Sequence, residues 1–415
     1  MTISDVEVAI RSRGPAEVDR RIYTDAALFE IEMASVFARS WLYACHEHEL
    51  AEPGDFVTVT AGTEPLLVCR GRDGELRAFV NACTHRGAAL TGTRSGNCGN
   101  NLKCLYHGWT FALDGSLIGV PYPQAYGPDF DKADHGLAEV RLAVHAGLVF
   151  VAFDPAVPSI TDFLGEAIPH VDRLLGGTVV LGRVRCEARA NWKTWHENFA
   201  DNYHPEFVHN WVHDFEHGYA NQGANYELEP GHGLLEWPPG PPEFERYRDG
   251  LRRLSGIDVD PLANPAWAEP PFAPDFSIQQ YVMTLFPNFD LQVFVFGGVR
   301  VIQVVHPVAV DRCVIEVVAL GHVDDDPPTR QWKLERVADL QGSWGKLSPD
   351  DIEAVERTQV GSAGSANHTS NFGRGVAPGK VGETRDEYSL RSFHRLWRQY
   401  MGFDPLSPTS NRELP

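Results

Sequence analysis

Between 25 and 41, in DAALFEIEMASVFARSW, apolar positions recur near helical spacing: Leu28, Met33, Val36, Phe37 and Trp41 share one side of a helix that Asp25 can cap. From Gly54 to about 155 the texture changes to short β-rich runs, FVTVT, PLLVC, LRAFV, WTFAL and GLVFVAF. Asp73-Gly74 and Asp114-Gly115 read as hairpin turns, which predicts a small, mostly antiparallel β domain. Past Pro155 and Pro158 the pattern predicts a helical stretch around 160–175, a strand over 178–190 and another helix from about 191. The segment 228–275 is dense in Gly and Pro, with WPPGPPEF at its centre, and is expected to be a long irregular excursion. Strands over 277–287, 291–306 and 312–322 follow, then helices over 327–341, 348–360 and 386–401.

The 415 residues are 43% hydrophobic and 22% charged, a globular composition long enough for two or three domains, which excludes a disordered or fibrous chain. With 36 basic against 56 acidic residues, the formal charge of −20 argues against nucleic acid and anionic membranes as partners. The N-terminus, MTISDVEVAIRSRG, lacks the apolar core of a signal peptide, and GLVFVAF at 147–153 is too short to span a bilayer, so a cytoplasmic protein is expected. Seven cysteines, an odd number in such a chain, point to thiolate ligands rather than disulfides.

Candidate chemistry concentrates in three places. In ENFADNYHPEFVH (197–209), Asp201 and His204 are three apart and would share a helix face. His209 lies five beyond His204, so a shared target requires a bend between the two histidines, which Pro205 can provide. This pair suits a metal, although histidines also serve as ordinary core or surface residues. His209, His213 and His217 repeat every four residues and would by themselves suit zinc. Further upstream, CTHRG (83–87) and CLYHGW (104–109) carry Cys83-x-His85 and Cys104-x2-His107. A zinc ribbon is one reading of such a set. A Rieske [2Fe–2S] centre is the other: two cysteines hold one iron, two histidines the other, and each motif here supplies one ligand to each iron. Arg86-Gly87 and Gly108-Trp109 complete that pattern. Cys98 is a spare thiol, and Cys45, Cys69, Cys186 and Cys313 read as small core residues. His46 and His48, alternating with Cys45 and Glu47 on a strand, are assigned a structural role. On strand 297–306, Gln303 shares a face with Val299, Val301 and Val305, whereas Arg300 lies on the other. Either polar side chain could bind a substrate substituent or simply hydrogen-bond its neighbours.

These motifs together resemble the catalytic (alpha) subunits of Rieske non-haem iron aromatic ring-hydroxylating oxygenases. The resemblance covers nearly the whole chain: the N-terminal helix with Trp41, the Rieske motifs, NWKTWHENFADNYHPEFVH (191–209) and DDIEAVERTQVG (350–361). DEYSLRSFHRLWRQYMG and the acidic run 324–326 resemble members acting on aromatic carboxylic acids of benzoate, salicylate or anthranilate type. The implied fold is α+β: a small antiparallel β Rieske domain inserted in a chain whose larger catalytic domain is an antiparallel sheet covered by helices, a helix-grip-like arrangement. The implied division is an N-terminal helical segment (1–40), a Rieske domain (41–157) and a catalytic mononuclear iron domain (158–415).

The resemblance further implies one [2Fe–2S] cluster on Cys83, His85, Cys104 and His107. It implies one mononuclear Fe(II) on His204, His209 and a distant carboxylate, for which Asp351 is favoured and Asp350 is the alternative, with Glu356, Gln359 and Gly361 completing the motif. Asn198 and Asp201 are cast as catalytic residues, Asp201 linking His204 to His107 of a neighbouring subunit in a homotrimer. A small β subunit, giving an α3β3 complex, is an open alternative. No G-x-G-x-x-G loop follows a predicted strand, so NAD(P)H serves only through a partner reductase, directly or by way of a ferredoxin. The implied reaction is hydroxylation or cis-dihydroxylation of a small aromatic substrate with O2, with N- or O-demethylation and alkyl-amine oxidation as open alternatives within the same family. A pure electron carrier and a zinc protein are the competing classes.

Overall fold

The computed structural model describes residues 16–209, 223–237, 280–293, 299–364 and 369–403. They divide into two compact units, one drawn from Phe37–Phe163 and His170–Val180, the other from Met1–Val36, Leu164–Pro169 and Leu181–Pro415. Among the described residues, no helix is long and apolar enough to cross a membrane.

The chain enters through β1 (Glu17–Asp19) and α1 (Ala26–Glu32), whose first turn is closed by the Asp25 carboxylate accepting from Ala27 and Leu28 N–H. This helix is shorter than its apolar spacing predicts. It widens into a π-type turn over Met33–Phe37 and stops before Trp41. The Ser35 hydroxyl donates back to the Ile31 carbonyl at 2.6 Å, an intrusion into the backbone ladder of the kind that loosens a helix.

In the first unit, β2 (Leu42–His46), β3 (Asp55–Ala61), β4 (Glu64–Arg70), β5 (Leu76–Val80), β6 (Ser95–Asn97), β10 (Glu139–His145) and β11 (Leu148–Ala152) form a seven-stranded sheet in the order β2-β11-β10-β5-β4-β3-β6. The shorter β7 (Asn101–Lys103), β8 (Thr110–Ala112) and β9 (Leu117–Gly119) form a second sheet. Both predicted hairpin turns are present, between β4 and β5 and between β8 and β9. Phe56, Leu67, Phe79 and Phe111 form the core of this unit, and Cys83 and Cys104 are packed into it. The strand through His46–His48 is a correction: β2 ends at His46, and Glu47–Leu50 turn into a short 3-10 helix with the His46 ring accepting from His48 N–H. The structural role holds, since His46 Nε2 lies 3.2 Å from the Thr178 hydroxyl.

Short helices α2 (Ile160–Leu164) and α3 (Ile168–Leu175) occupy the predicted helical stretch, and β12 (Thr178–Ala188) follows. In the second unit an eight-stranded sheet runs β12-β18-β17-β16-β15-β14-β13-β20. Its members are β13 (Ala224–Leu228), β14 (His232–Trp237), β15 (Gln280–Leu285), β16 (Phe289–Val293), β17 (Arg300–Ala309), β18 (Arg312–His322) and β20 (Val381–Glu383), while β19 (Thr369–Asn371) pairs with β1. Residues 232–237, expected to be irregular, form a hairpin strand, because GHGLLEW carries enough apolar side chains to fill a sheet position. The rest of that excursion, 238–279, lies outside the described residues. The strand predicted over 277–287 turns at 286–288 into β16. The remaining helices are α4 (Trp192–Phe199), α5 (Pro205–Val208), α6 (Pro327–Gln341), α7 (Ser348–Ser362) and α8 (Tyr388–Tyr400).

Cross-strand register places Gly233, Thr284, Asp290, Gln303 and Val317 in one row across β14 to β18. A Cβ on Gly233 would lie 2.3 Å from Ser389 of α8, and His196 of α4 sits 2.8 Å from Asp290, so this row faces the helices. Gln303 belongs to it. Its Oε1 accepts from Trp195 Nε1 at 2.8 Å and its Nε2 donates to Gln341 Oε1 at 3.0 Å, so both ends of the amide brace helix to sheet. Elsewhere Cys69 and Cys313 have thiols pushed up to about 12 by burial, and Cys186 to about 11, as befits inert packing residues.

Candidate metal centres

CTHRG and CLYHGW fold into two matching loops. In each, the cysteine N–H donates to the carbonyl five residues on (Ala88, Trp109), and the glycine N–H four residues on donates to the cysteine carbonyl, all at 2.8–3.0 Å. Gly87 and Gly108 have φ of +75° and +69°, a region open to glycine but costly for other residues, which is why each motif carries a glycine there. The loops place the histidine differently, two residues after Cys83 and three after Cys104. Both cysteines are buried, and the His85 and His107 rings meet edge to face with centroids 4.7 Å apart. His85 stacks on Trp109 at 4.9 Å, and its Nδ1 is buried with no hydrogen-bond partner. Burial pushes the Cys83 thiol up; the His85 backbone N–H opposes this and the Cys104 sulfur adds to it.

Adjacent buried thiols and an orphaned ring nitrogen are a poor resting state without a metal and a fitting one with it. A tetrahedral zinc would need all four donor atoms around one point. Among the described residues, the one His/Cys/Asp/Glu group so convergent is elsewhere, so this thiol pair and imidazole pair suit two irons better than one zinc.

That convergent group is His204, His209 and Asp351, with donor atoms within 4.8 Å of one another. Asn191 caps α4, its Oδ1 accepting from Lys193 N–H, and the helix ends at Ala200. Asp201 and His204 therefore do not share a helix, contrary to what their spacing predicts. The chain is non-helical over 201–204 and resumes at Pro205 as the one-turn α5, with His204 at its N-cap. Proline is well placed at a first helical position, where its missing N–H has no intrahelical partner to lose. His204 and His209 thus flank one short turn, which brings their rings to 5.6 Å without the bend between them that their spacing required.

Asp351 comes from the first turn of α7. The signature residues behind it act as anchors: Glu356 accepts from Arg189 N–H at 2.9 Å, and Gln359 accepts from Asn191 N–H at 2.9 Å while donating to the Tyr23 carbonyl at 3.0 Å. They tie α7 to the residues that start α4 and so set the carboxylate against the histidines. Asp351 Oδ1 is 3.5 Å from His204 Nε2 and 3.1 Å from His209 Nε2. It is buried, yet no contact there has hydrogen-bond geometry, as expected for three donors aimed at a common point rather than at each other. Both outer nitrogens face carboxylates: His204 Nδ1 lies 3.3 Å from Asp201 Oδ2, and His209 Nδ1 lies 3.4 Å from Asp350 Oδ2. A proton on each Nδ1 leaves each Nε2 lone pair pointing inward, the tautomer a metal requires.

Electrostatics agree. Burial works to lower the His204 pKa, but Asp201 and Asp351 outweigh it and raise it to about 9. Burial likewise opposes ionisation of Asp351, and the two imidazoles hold it down to about 2. A divalent ion at the focus would supply the positive charge that the His204 proton otherwise supplies.

Of the other predicted residues, Asn198 lies on α4, where its carbonyl accepts from Asp201 N–H at 3.4 Å. Arg300 has a buried Nε without a hydrogen-bond partner; its pKa is lowered by burial, with Asp325 opposing. His213 and His217 lie outside the described residues. Unforeseen were two arginines that grip the metal loop: Arg374 covers the Tyr203 ring at 3.9 Å, and Arg385 pairs with Glu206. No spacing signal links them to the histidines.

A family profile described as "Rieske [2Fe-2S] domain" matches residues 40–141, and one described as "Ring hydroxylating alpha subunit (catalytic domain)" matches 176–402. The anthranilate 1,2-dioxygenase large subunit of Acinetobacter baylyi is 31% identical, over 91% of this chain and 84% of its own. The terephthalate 1,2-dioxygenase terminal oxygenase component subunit alpha 2 of Comamonas sp. is 31% identical, over 92% and 94%. Among solved structures, naphthalene 1,2-dioxygenase from Rhodococcus sp. bound to indole superposes with a TM-score of 0.79 at 26% identity, covering 93% of this chain and 94% of that one. A quaternary ammonium Rieske monooxygenase bound to L-carnitine, with a TM-score of 0.74 at 21% identity over 94% and 97%, shares the fold. With a match to the catalytic domain as well as the cluster domain, the chain is more than an electron carrier: it belongs to the Rieske ring-hydroxylating oxygenases, as an alpha subunit.

Proposed function

We propose that this alpha subunit is the terminal oxygenase of a system in which a separate NAD(P)H-dependent reductase, directly or through a ferredoxin, delivers electrons for hydroxylation or cis-dihydroxylation of an aromatic carboxylic acid. The observation that carries the reading is the convergence of His204, His209 and Asp351 on one point in a chain that also builds the two cysteine–histidine loops. Cys83, Cys104, His85 and His107 would hold a [2Fe–2S] cluster, which supplies electrons one at a time, and His204, His209 and Asp351 would hold Fe(II), which supplies O2 activation. The chain's own residues do the rest. Asp201 holds the His204 ring by Nδ1, and in a homotrimer its carboxylate would also reach His107 of a neighbouring subunit, joining the two centres. Asn198 sits one turn before His204's loop as a second polar group on that path.

The substrate class is supported by relatives named for anthranilate, terephthalate, toluate and 2-halobenzoate, each about 29–31% identical. A carboxylate substrate for a chain of net charge −20 needs a local cation. Of the two polar side chains on β17, Gln303 has its amide engaged and Arg300 lies on the strand face opposite the helices that carry the iron-site residues, so neither is assigned that role. Relatives named as large or alpha subunits also support a small β subunit in an α3β3 assembly.

The test is turnover of the purified protein with a generic reductase and ferredoxin. The panel comprises aromatic acids, neutral aromatic hydrocarbons and alkylamines, with products identified by mass spectrometry. Oxygenated products from benzoates or aminobenzoates are expected. Turnover confined to hydrocarbons, or formaldehyde release from methylated amines or ethers, would overturn the substrate class.

A further inference from the structure

The signature of α7 begins with two consecutive aspartates, and the foregoing reading uses only one of them. Asp350 and Asp351 both donate their backbone N–H to the Leu347 carbonyl at 3.1 Å, so one tight turn fixes both carboxylates. Consecutive helical residues point about 100° apart. Asp351 accordingly faces the histidines with its side chain 12% exposed, whereas Asp350 is 47% exposed and reaches the far side of His209.

His209 is placed to use such a partner. It ends α5 with φ −101° and ψ 83°, outside helical geometry, and its side chain is only 4% exposed. Its Nε2 is aimed at Asp351 and its Nδ1 at Asp350. His204 is arranged in the same way, with Nε2 toward Asp351 and Nδ1 toward Asp201.

We propose that Asp350 is a positioning residue of the metal centre, holding the His209 ring by Nδ1 as Asp201 holds that of His204. The inference rests on the reading of His204, His209 and Asp351 as metal ligands. A carboxylate on the outer nitrogen fixes the tautomer, orients the ring and strengthens the inner nitrogen as a donor; removing such partners commonly costs about 10–100-fold in metal affinity.

The test is anaerobic titration of the cluster-loaded, iron-depleted protein with Co(II) alone, read by cobalt ligand-field absorption. Asp350→Ala is expected to weaken Co(II) binding about 10–100-fold while still binding one ion at saturation. Asp350→Asn, whose amide oxygen can still accept from Nδ1–H, should stay within several-fold of the wild type. A carboxylate serving only the N-terminus of α7 acts by charge, which both substitutions remove. Equal affinities for the two variants, or an Asp350→Ala protein that binds like wild type, would therefore overturn the positioning role. Asp351→Ala is run beside them and should bind no Co(II). If it binds normally while Asp350→Ala does not, the ligand reading itself fails.

Discussion

Glu32 is the residue whose loss should cost this fold most for its size. Its side chain is wholly buried at the end of α1, and it accepts from Lys193 Nζ at 2.5 Å, Trp397 Nε1 at 2.8 Å and Trp192 Nε1 at 3.0 Å. Lys193 is equally buried, with the Trp192, Trp397 and Tyr23 rings 5.0–5.8 Å from its ammonium. Trp192 and Lys193 open α4, so this cluster also seats the helix that leads to the iron-site histidines. Glu32→Gln keeps the shape but leaves a buried ammonium without its counter-charge, a change worth about 3–5 kcal/mol. Deprotonating the lysine instead costs about 5 kcal/mol at pH 7, so that escape is no cheaper. Burial already lowers the Lys193 pKa from 10.5, with Glu32 opposing; removing Glu32 lowers it further. The unfolded state of the variant then binds more protons than the folded state between that depressed value and 10.5. Its stability should accordingly rise with pH in that window, by up to about 1.4 kcal/mol per unit. Urea unfolding followed by tryptophan fluorescence at pH 7 and pH 9 measures both effects, with Trp192 and Trp397 as local reporters. Glu32→Gln/Lys193→Met should recover most of the loss. A single variant losing less than about 1 kcal/mol, or a deficit unchanged between the two pH values, would refute the reasoning.

Two further outcomes bear on the metal centres. Cys83→Ser or Cys104→Ser should abolish the Rieske absorption and EPR signal, because a serine oxygen is a poor substitute for a cluster thiolate; a normal signal in either would remove that residue from the ligand set. Asp201→Asn should leave both centres loaded while turnover falls by orders of magnitude, with the reduced cluster failing to reoxidise on addition of substrate and O2. If Asp201 served only its local turn, the cost would be about 1 kcal/mol of stability, and single-turnover mixing would show near-normal reoxidation.

The cluster motifs were legible because their chemistry is local. Each loop closes within six residues, through backbone bonds that join the cysteine to the glycine and to the residue after it. Helix α6 and strand β18 were equally plain, since long periodic segments bounded by Asp326 or by turns carry their limits with them. Less was legible where a side chain interferes with its own backbone, as Ser35 does in α1, or where a proline begins a helix instead of bending one, as Pro205 does.

What the sequence by itself determined about this protein is therefore its inventory: two cysteine–histidine loops, a histidine pair and an acidic helix start, each a short-range pattern fixed by backbone chemistry. What only the tertiary structure decided is how residues far apart in sequence are shared out. Asp350 and Asp351 are indistinguishable as letters, and their different partners follow from the angle between consecutive helical residues once α7 is anchored through Glu356 and Gln359 to the start of α4. Gln303 is likewise a strand residue in sequence and a brace in the fold, because its partners Trp195 and Gln341 arrive from two separate helices. Periodicity tells which face a side chain is on; only packing, which couples elements over more than a hundred residues, supplies what it meets there.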